Sequence, residues 1–239
     1  MEFKAAKDID KTKAMYLIFG NPGTGKTTTA TYLPGKTLLV AIDGSDRVLK
    51  DQPNIDVVEL DKVDVADIVH QFNKILDAIE VKYLDKYNNI AFDNLSHLQD
   101  IVLSQLSMTN KDQRKAWGDM QNLIKQWIGR IRSWNKSIYA TAWEMTETFE
   151  NNDGTSSTYY DVLMNAKVRA SVKGLFDVVG QTFVYKNEHV IRLTPNGQSQ
   201  VKNQVDKRNY CLTKDLFNGK EWLPNMNNTK NEEIKGDNK

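Results

Sequence analysis

The sequence predicts an α/β domain in which a mostly parallel sheet carries helices on both faces, with a β-hairpin near the C-terminus. Three observations predict it. Short apolar runs alternate with segments whose apolar residues recur every three or four positions. A glycine-rich turn joins the first apolar run to the first helical segment. The chain has 239 residues, 40% of them apolar, enough for one sizeable core, and it shows no internal repeat. Strands alternating with helices in this way pair in parallel and are covered on both sides.

The elements follow in order. Residues 1–13 are polar and read as a lead-in. Met15–Phe19 reads as a buried strand, and Lys26–Tyr32 as the helix after the turn. Thr37–Ile42 and Ile55–Leu60 read as a second and a third buried strand. Across Val65–Leu84, residues Val65, Ile68, Val69, Phe72, Ile75, Leu76 and Ile79 share one helical face. Asn89–Phe92 predicts a short strand ending at Asp93. Ser96 with Gln99 three positions on has the capping-box pattern for a helix to about Met108. Gln113–Asn135 predicts a long helix whose tryptophans suit a core or an interface. Ile138–Trp143 reads as another strand. Thr146–Thr158 is polar, contains Asp-Gly, and predicts a mobile loop. Val178–Tyr185 and His189–Leu193 flank Lys186-Asn187-Glu188, which predicts a hairpin. The tail 225–239 is rich in Asn, Lys and Glu and predicts disorder. One domain over 14–224 is expected.

Bulk properties narrow the function classes. The net charge is +1, so any nucleic-acid surface must be a local patch. Cys211 is the single cysteine, so no intrachain disulfide forms. The first residues lack the apolar stretch of a secretory signal. No apolar run approaches the roughly 20 residues of a membrane helix, and no membrane partner is expected. The three histidines lie at no metal-ligand spacing with cysteines or acids, so no zinc site is expected.

Gly20-Asn21-Pro22-Gly23-Thr24-Gly25-Lys26-Thr27 fits G-x-x-x-x-G-K-[ST], the phosphate-binding P-loop. Glycines let backbone N–H groups wrap phosphates, and the helix that follows adds the positive end of its dipole. Lys26 is expected to reach the β- and γ-phosphates of ATP, and the Thr27 hydroxyl to ligate Mg2+. Thr28 suits the polar lining or simply the helix's first turn. A second metal carboxylate is expected at Asp93, where an apolar strand ends. Hydrolysis also needs an acid to orient water. Asn94, directly after Asp93, cannot serve. Asp43 and Glu144 follow strands at the sheet's carboxyl edge, where sites form in open α/β sheets. Asp43 is preferred, with Glu144 as sensor or alternative. Lys167, Arg169 and Lys173, near Tyr159 and Tyr160, suit single-stranded DNA, the cations tracking phosphates and the rings stacking bases. They suit a solvated helix face equally.

The runs IFGNPGTGKTT, TLLVAIDGSDRVL, IAFDNLSHLQD, IYATAWE and KVRASVKGLFDVVG resemble phage-encoded RecA-like nucleotide-binding proteins of the AAA group, some of them single-strand annealing recombination proteins. The resemblance covers residues 14–215. It implies a RecA-like core with the Ile138–Trp143 strand between the P-loop strand and the Asp93 strand. It implies ATP hydrolysis with Mg2+, single-stranded DNA as a partner, homo-oligomers with ATP between subunits, and the cytoplasm of an infected host. Gly25, Lys26, Thr27 and Asp93 match the family's motifs. Asp43 matches an acidic position, but the glutamate expected two residues later is Ser45. Lys207 and Arg208 stand where such proteins place cations that reach a neighbour's γ-phosphate. The other client considered is a protein, as for a helicase loader or remodelling factor. A kinase is disfavoured because Thr146–Thr158, where a phosphate lid could lie, contains no Arg or Lys.

Overall fold

The computed structural model describes residues 13–60, 64–151 and 153–223. The tail from Asn225, and the lead-in apart from Lys13, lie outside the described residues. Strands β1 (Met15–Gly20), β2 (Thr37–Ala41), β3 (Ile55–Glu59), β4 (Asn89–Asp93), β5 (Ser137–Glu150) and β7 (Val178–Tyr185) pair in parallel in the order β7-β1-β5-β4-β2-β3. β8 (Glu188–Arg192) and β10 (Tyr210–Leu212) extend this sheet antiparallel beyond β7, and the short β9 (Lys202–Asn203) pairs antiparallel with the start of β7. The P-loop strand β1 thus pairs with β5, and β5 with the Asp93 strand β4, as the resemblance implies.

The strand alternation explains the two-faced core. Leu17 and Phe19 of β1 face one layer, with Leu38, Val40, Ile90 and Phe92 from its neighbours. That layer is closed by α2 (Ile68–Ala78), α3 (Leu95–Thr109), α4 (Gln113–Ser133) and α5 (Ala166–Leu175), through residues such as Phe72, Leu98, Trp127 and Val172. Tyr16, Ile18, Leu39 and Ala91 face the opposite layer, under Ala30, Leu33, Leu49 and Leu216. Phe72, fully buried against the rings of Phe92 and Trp127, contributes about 1.5–3 kcal/mol through burial alone. Trp117, by contrast, is exposed. Among the described residues no helix is long and apolar enough to cross a membrane.

Three expectations are corrected. β3 is the sheet's outer strand and largely exposed, not buried, because it pairs only with β2 among the described residues. α3 starts immediately after Asn94, whose side chain accepts from the His97 N–H at 2.8 Å and is the cap. Ser96 therefore falls inside the first turn, where its Oγ accepts the Trp143 N–H at 2.9 Å and ties α3 to β5. Thr146–Thr158 is not a loop. β5 runs on past the core sheet to Glu150 and pairs antiparallel with β6 (Ser156–Val162), forming a projecting ribbon. Its threonines and the Phe149–Tyr159 ring contact suit paired strands. Its outer part is solvated on both faces, so no apolar alternation marks it in the sequence.

Candidate functional site

The P-loop leaves β1 at Gly20 and enters α1 (Lys26–Thr29) at Lys26. Gly23 and Gly25 hold φ of 79° and 91°, a region costly for any residue with a Cβ. A Cβ on Gly23 would meet nothing within 4 Å, so the backbone there faces open space. At Gly20 a Cβ would lie 2.4 Å from the Thr182 carbonyl oxygen of β7, so this position admits only glycine without rearrangement. Thr182 also donates to the Thr24 carbonyl, and Tyr139 donates to the Lys26 carbonyl at 2.6 Å. Both pin the loop to the sheet.

The parallel pairing of β2 and β4 brings their carboxyl ends beside α1. Thr27 Oγ1 donates to Asp93 Oδ2 at 2.6 Å, and Ser45 Oγ donates to the same oxygen at 3.1 Å. Thr141 of β5 donates to Asp93 Oδ1. Burial pushes the Asp93 carboxyl above its usual range, against the pull of these three hydroxyls. Asp43, just past β2, accepts from Asn94 Nδ2 and from the Ser45 N–H. Lys26 Nζ donates to the carbonyls of Gly20 and Asn21, both at 2.9 Å, and burial lowers its pKa. Glu144, at the end of β5's core half, accepts from Asn21 Nδ2 at 3.1 Å and Gln181 Nε2 at 2.7 Å. Burial raises its pKa as well.

These groups open on a cleft of about 480 Å³. Pro22, Gly23, Gly25, Lys26, Thr27, Thr28, Asp43 and Asp93 line it, whereas Gly20, Asn21 and Thr24 support the loop from behind. Glu144 stands beside Asn21 rather than in the lining. Tyr32, Val48, Trp143, His189 and Thr213 also line the cleft. They went unread in the sequence because their place depends on which strand ends meet. Thr141, Asn94 and Gln181, which orient the acids, were missed for the same reason.

The family model of the AAA domain matches residues 12–205, most of the chain. The chain belongs to the AAA domain family. Among solved structures, the flagellar accessory protein FlaH from Methanocaldococcus jannaschii is similar over 83% of this chain and 84% of its own, at 12% identity and a TM-score of 0.44. A search of curated proteins finds no match.

The structure places the cations expected at a neighbour's phosphate and at DNA in different surroundings. Arg208 is buried. It pairs with Asp206 at 2.7 Å and donates to the carbonyls of Asp215, Leu216 and Lys220. Its guanidinium is turned inward and holds the C-terminal segment. Lys207 is exposed. Of the three cations expected at DNA, Arg169 and Lys173 both pair with Asp161, at 3.4 and 2.6 Å, and Lys167 is exposed.

Proposed function

We propose that this protein binds ATP with Mg2+ in the P-loop cleft and hydrolyses it. One observation carries the reading: Thr27 and Lys26 from the P-loop converge with Asp93 from β4 at the open end of the sheet. The residues fit the ligand. Gly23 offers backbone to open space, Lys26 supplies a cation, and a hydroxyl next to a carboxylate is a magnesium donor pair. Thr27 and Asp93 would hold the metal, whose charge offsets that of the phosphates. Thr141 and Ser45 orient the Asp93 carboxylate. Asp43, in the cleft and held by Asn94, is placed to orient water. Glu144, locked between Asn21 and Gln181, senses the loop's position. The test is Lys26→Ala in isothermal titration with Mg·ATP. Binding is expected to vanish with the fold kept, and unchanged affinity would defeat the assignment.

Both a nucleic-acid and a protein client suit an ATPase of this kind. The surroundings favour a protein. The β5–β6 ribbon carries Glu147, Glu150 and Asp153 and no Lys or Arg, and Asp161 engages both Arg169 and Lys173, offsetting one of their two charges. The ribbon repels phosphates. Of the two cations considered for action in trans, across a subunit boundary in a homo-oligomer, Lys207 is the exposed one. Sedimentation with single-stranded DNA at low salt, with and without ATP, separates the two. An ATP-dependent DNA complex would overturn the protein reading.

A further inference from the structure

The cleft has two chemically different ends. At one, Thr27 faces Asp93, Ser45 and, through Asn94, Asp43. These groups suit metal and phosphate. The other end is set by the helix turn itself. Thr28 lies about 100° round from Thr27, and the chain tightens after Thr29 into a 3-10 turn, Ala30–Tyr32, that ends at Tyr32. Tyr32 lines the cleft and is 43% exposed, too open to be a core residue. His189 reaches the same cleft from β8. The Lys186-Asn187 turn, with φ of 48° and 65°, returns the chain there. A Cβ on Gly25 would lie 3.2 Å from His189 Nδ1, so the imidazole packs directly over the phosphate loop. Thr213 completes this end. The described lining places its carboxylates, Asp43 and Asp93, on the Thr27 side.

Two rings and the hydroxyls of Thr28, Tyr32 and Thr213, with no acid among them, recognise a flat ligand by its faces. A carboxylate accepting from guanine's N–H groups would read its edge, and among the described residues none lines this end. We propose that Tyr32 and His189 form the base subsite of the cleft and select a purine by stacking, taking ATP and GTP alike and pyrimidine triphosphates less well. This rests on the P-loop reading above and names its substrate class. Stacking on an aromatic side chain changes affinity by roughly fivefold to a hundredfold per base.

The test is titration calorimetry of the full chain with Mg2+ and four probes: ATP, GTP, CTP and inorganic tripolyphosphate. Tripolyphosphate occupies the phosphate end but has no base. For the wild type, ATP and GTP are expected to agree within about threefold and CTP, which offers a smaller ring face, to bind more weakly. Tyr32→Ala and His189→Ala are expected to weaken ATP at least about fivefold while tripolyphosphate stays within about twofold. Tyr32→Phe keeps the wild-type affinity, because the ring and not the hydroxyl is used. Tyr32→Leu, with apolar volume but no ring, takes the place of Tyr32→Ala should that variant not fold. Wild-type ATP affinity in the ring-less variants overturns the subsite. So does CTP binding as well as ATP, or equal loss of tripolyphosphate. If the wild type binds neither ATP nor tripolyphosphate, the P-loop reading itself fails, and the two failures are told apart.

Discussion

Replacing Asp43 with Asn tests which acid prepares water for attack. The substitution keeps the size of the side chain and removes its charge. Asp43 accepts from Asn94 Nδ2 and from the Ser45 N–H. An asparagine carbonyl can serve one of these donors, leaving the other short of a partner. For a half-exposed site that costs about 1 kcal/mol, or roughly 2–4 °C of melting temperature in a chain of this size. The nucleotide contacts of Lys26 and Thr27 are untouched. Asp43 also raises the pKa of Asp93, so removing its charge leaves Asp93 more readily ionised for the metal. ATP affinity should therefore stay within about threefold. Turnover should fall by about 10²–10⁴, the contribution of a positioned base, or roughly 3–5 kcal/mol of barrier. Phosphate release under saturating ATP measures turnover, calorimetry measures affinity, and thermal melting measures stability. Turnover within about threefold of wild type refutes the role of Asp43. A large drop in melting temperature with loss of binding would show that the residue only holds Ser45 and Asn94 in place.

Thr141→Val removes a donor to ionised Asp93 and raises a carboxyl already lifted by burial. Mg2+-dependent ATP binding should then weaken at higher pH than in the wild type as pH is lowered, and identical pH profiles would contradict the assignment. Burial raises the Glu144 pKa in the fold, so its contribution to stability is full below about 4.5 and is lost as pH rises through the folded value. Compared with Glu144→Gln, the wild type should thus gain melting temperature as pH falls from 7 to 4.5, and a pH-independent difference would be the contrary result. Arg208→Ala should cost about 2–4 kcal/mol through lost buried hydrogen bonds. The melting temperature should drop by roughly 4–16 °C, whereas a purely trans-acting arginine would leave melting unchanged and abolish turnover.

The sequence by itself determined the P-loop, the Asp93 strand and the class of fold. Each is written in local chemistry. Glycines at 23 and 25 serve a backbone that other residues enter at a cost, Lys26 and Thr27 follow at fixed spacing, and strands buried on both faces read as continuous apolar runs. The hairpin at Lys186-Asn187 was legible for the same reason. The ribbon was not, because strands solvated on both faces carry no apolar signal. The roles of the charged groups were decided only by the tertiary structure. Arg208, Arg169 and Lys173 look alike in sequence to free cations, but Arg208 is held by Asp206 and the carbonyls of the C-terminal segment, and Arg169 and Lys173 share Asp161. Ser45 stands where a glutamate was expected, yet strand pairing turns its hydroxyl onto Asp93, and Asn94 holds Asp43. Tyr32 and His189 lie 157 positions apart and line one cleft because β8 folds back beside the P-loop helix. Local spacing records what one segment can bind, and the sheet order decides which segments bind it together.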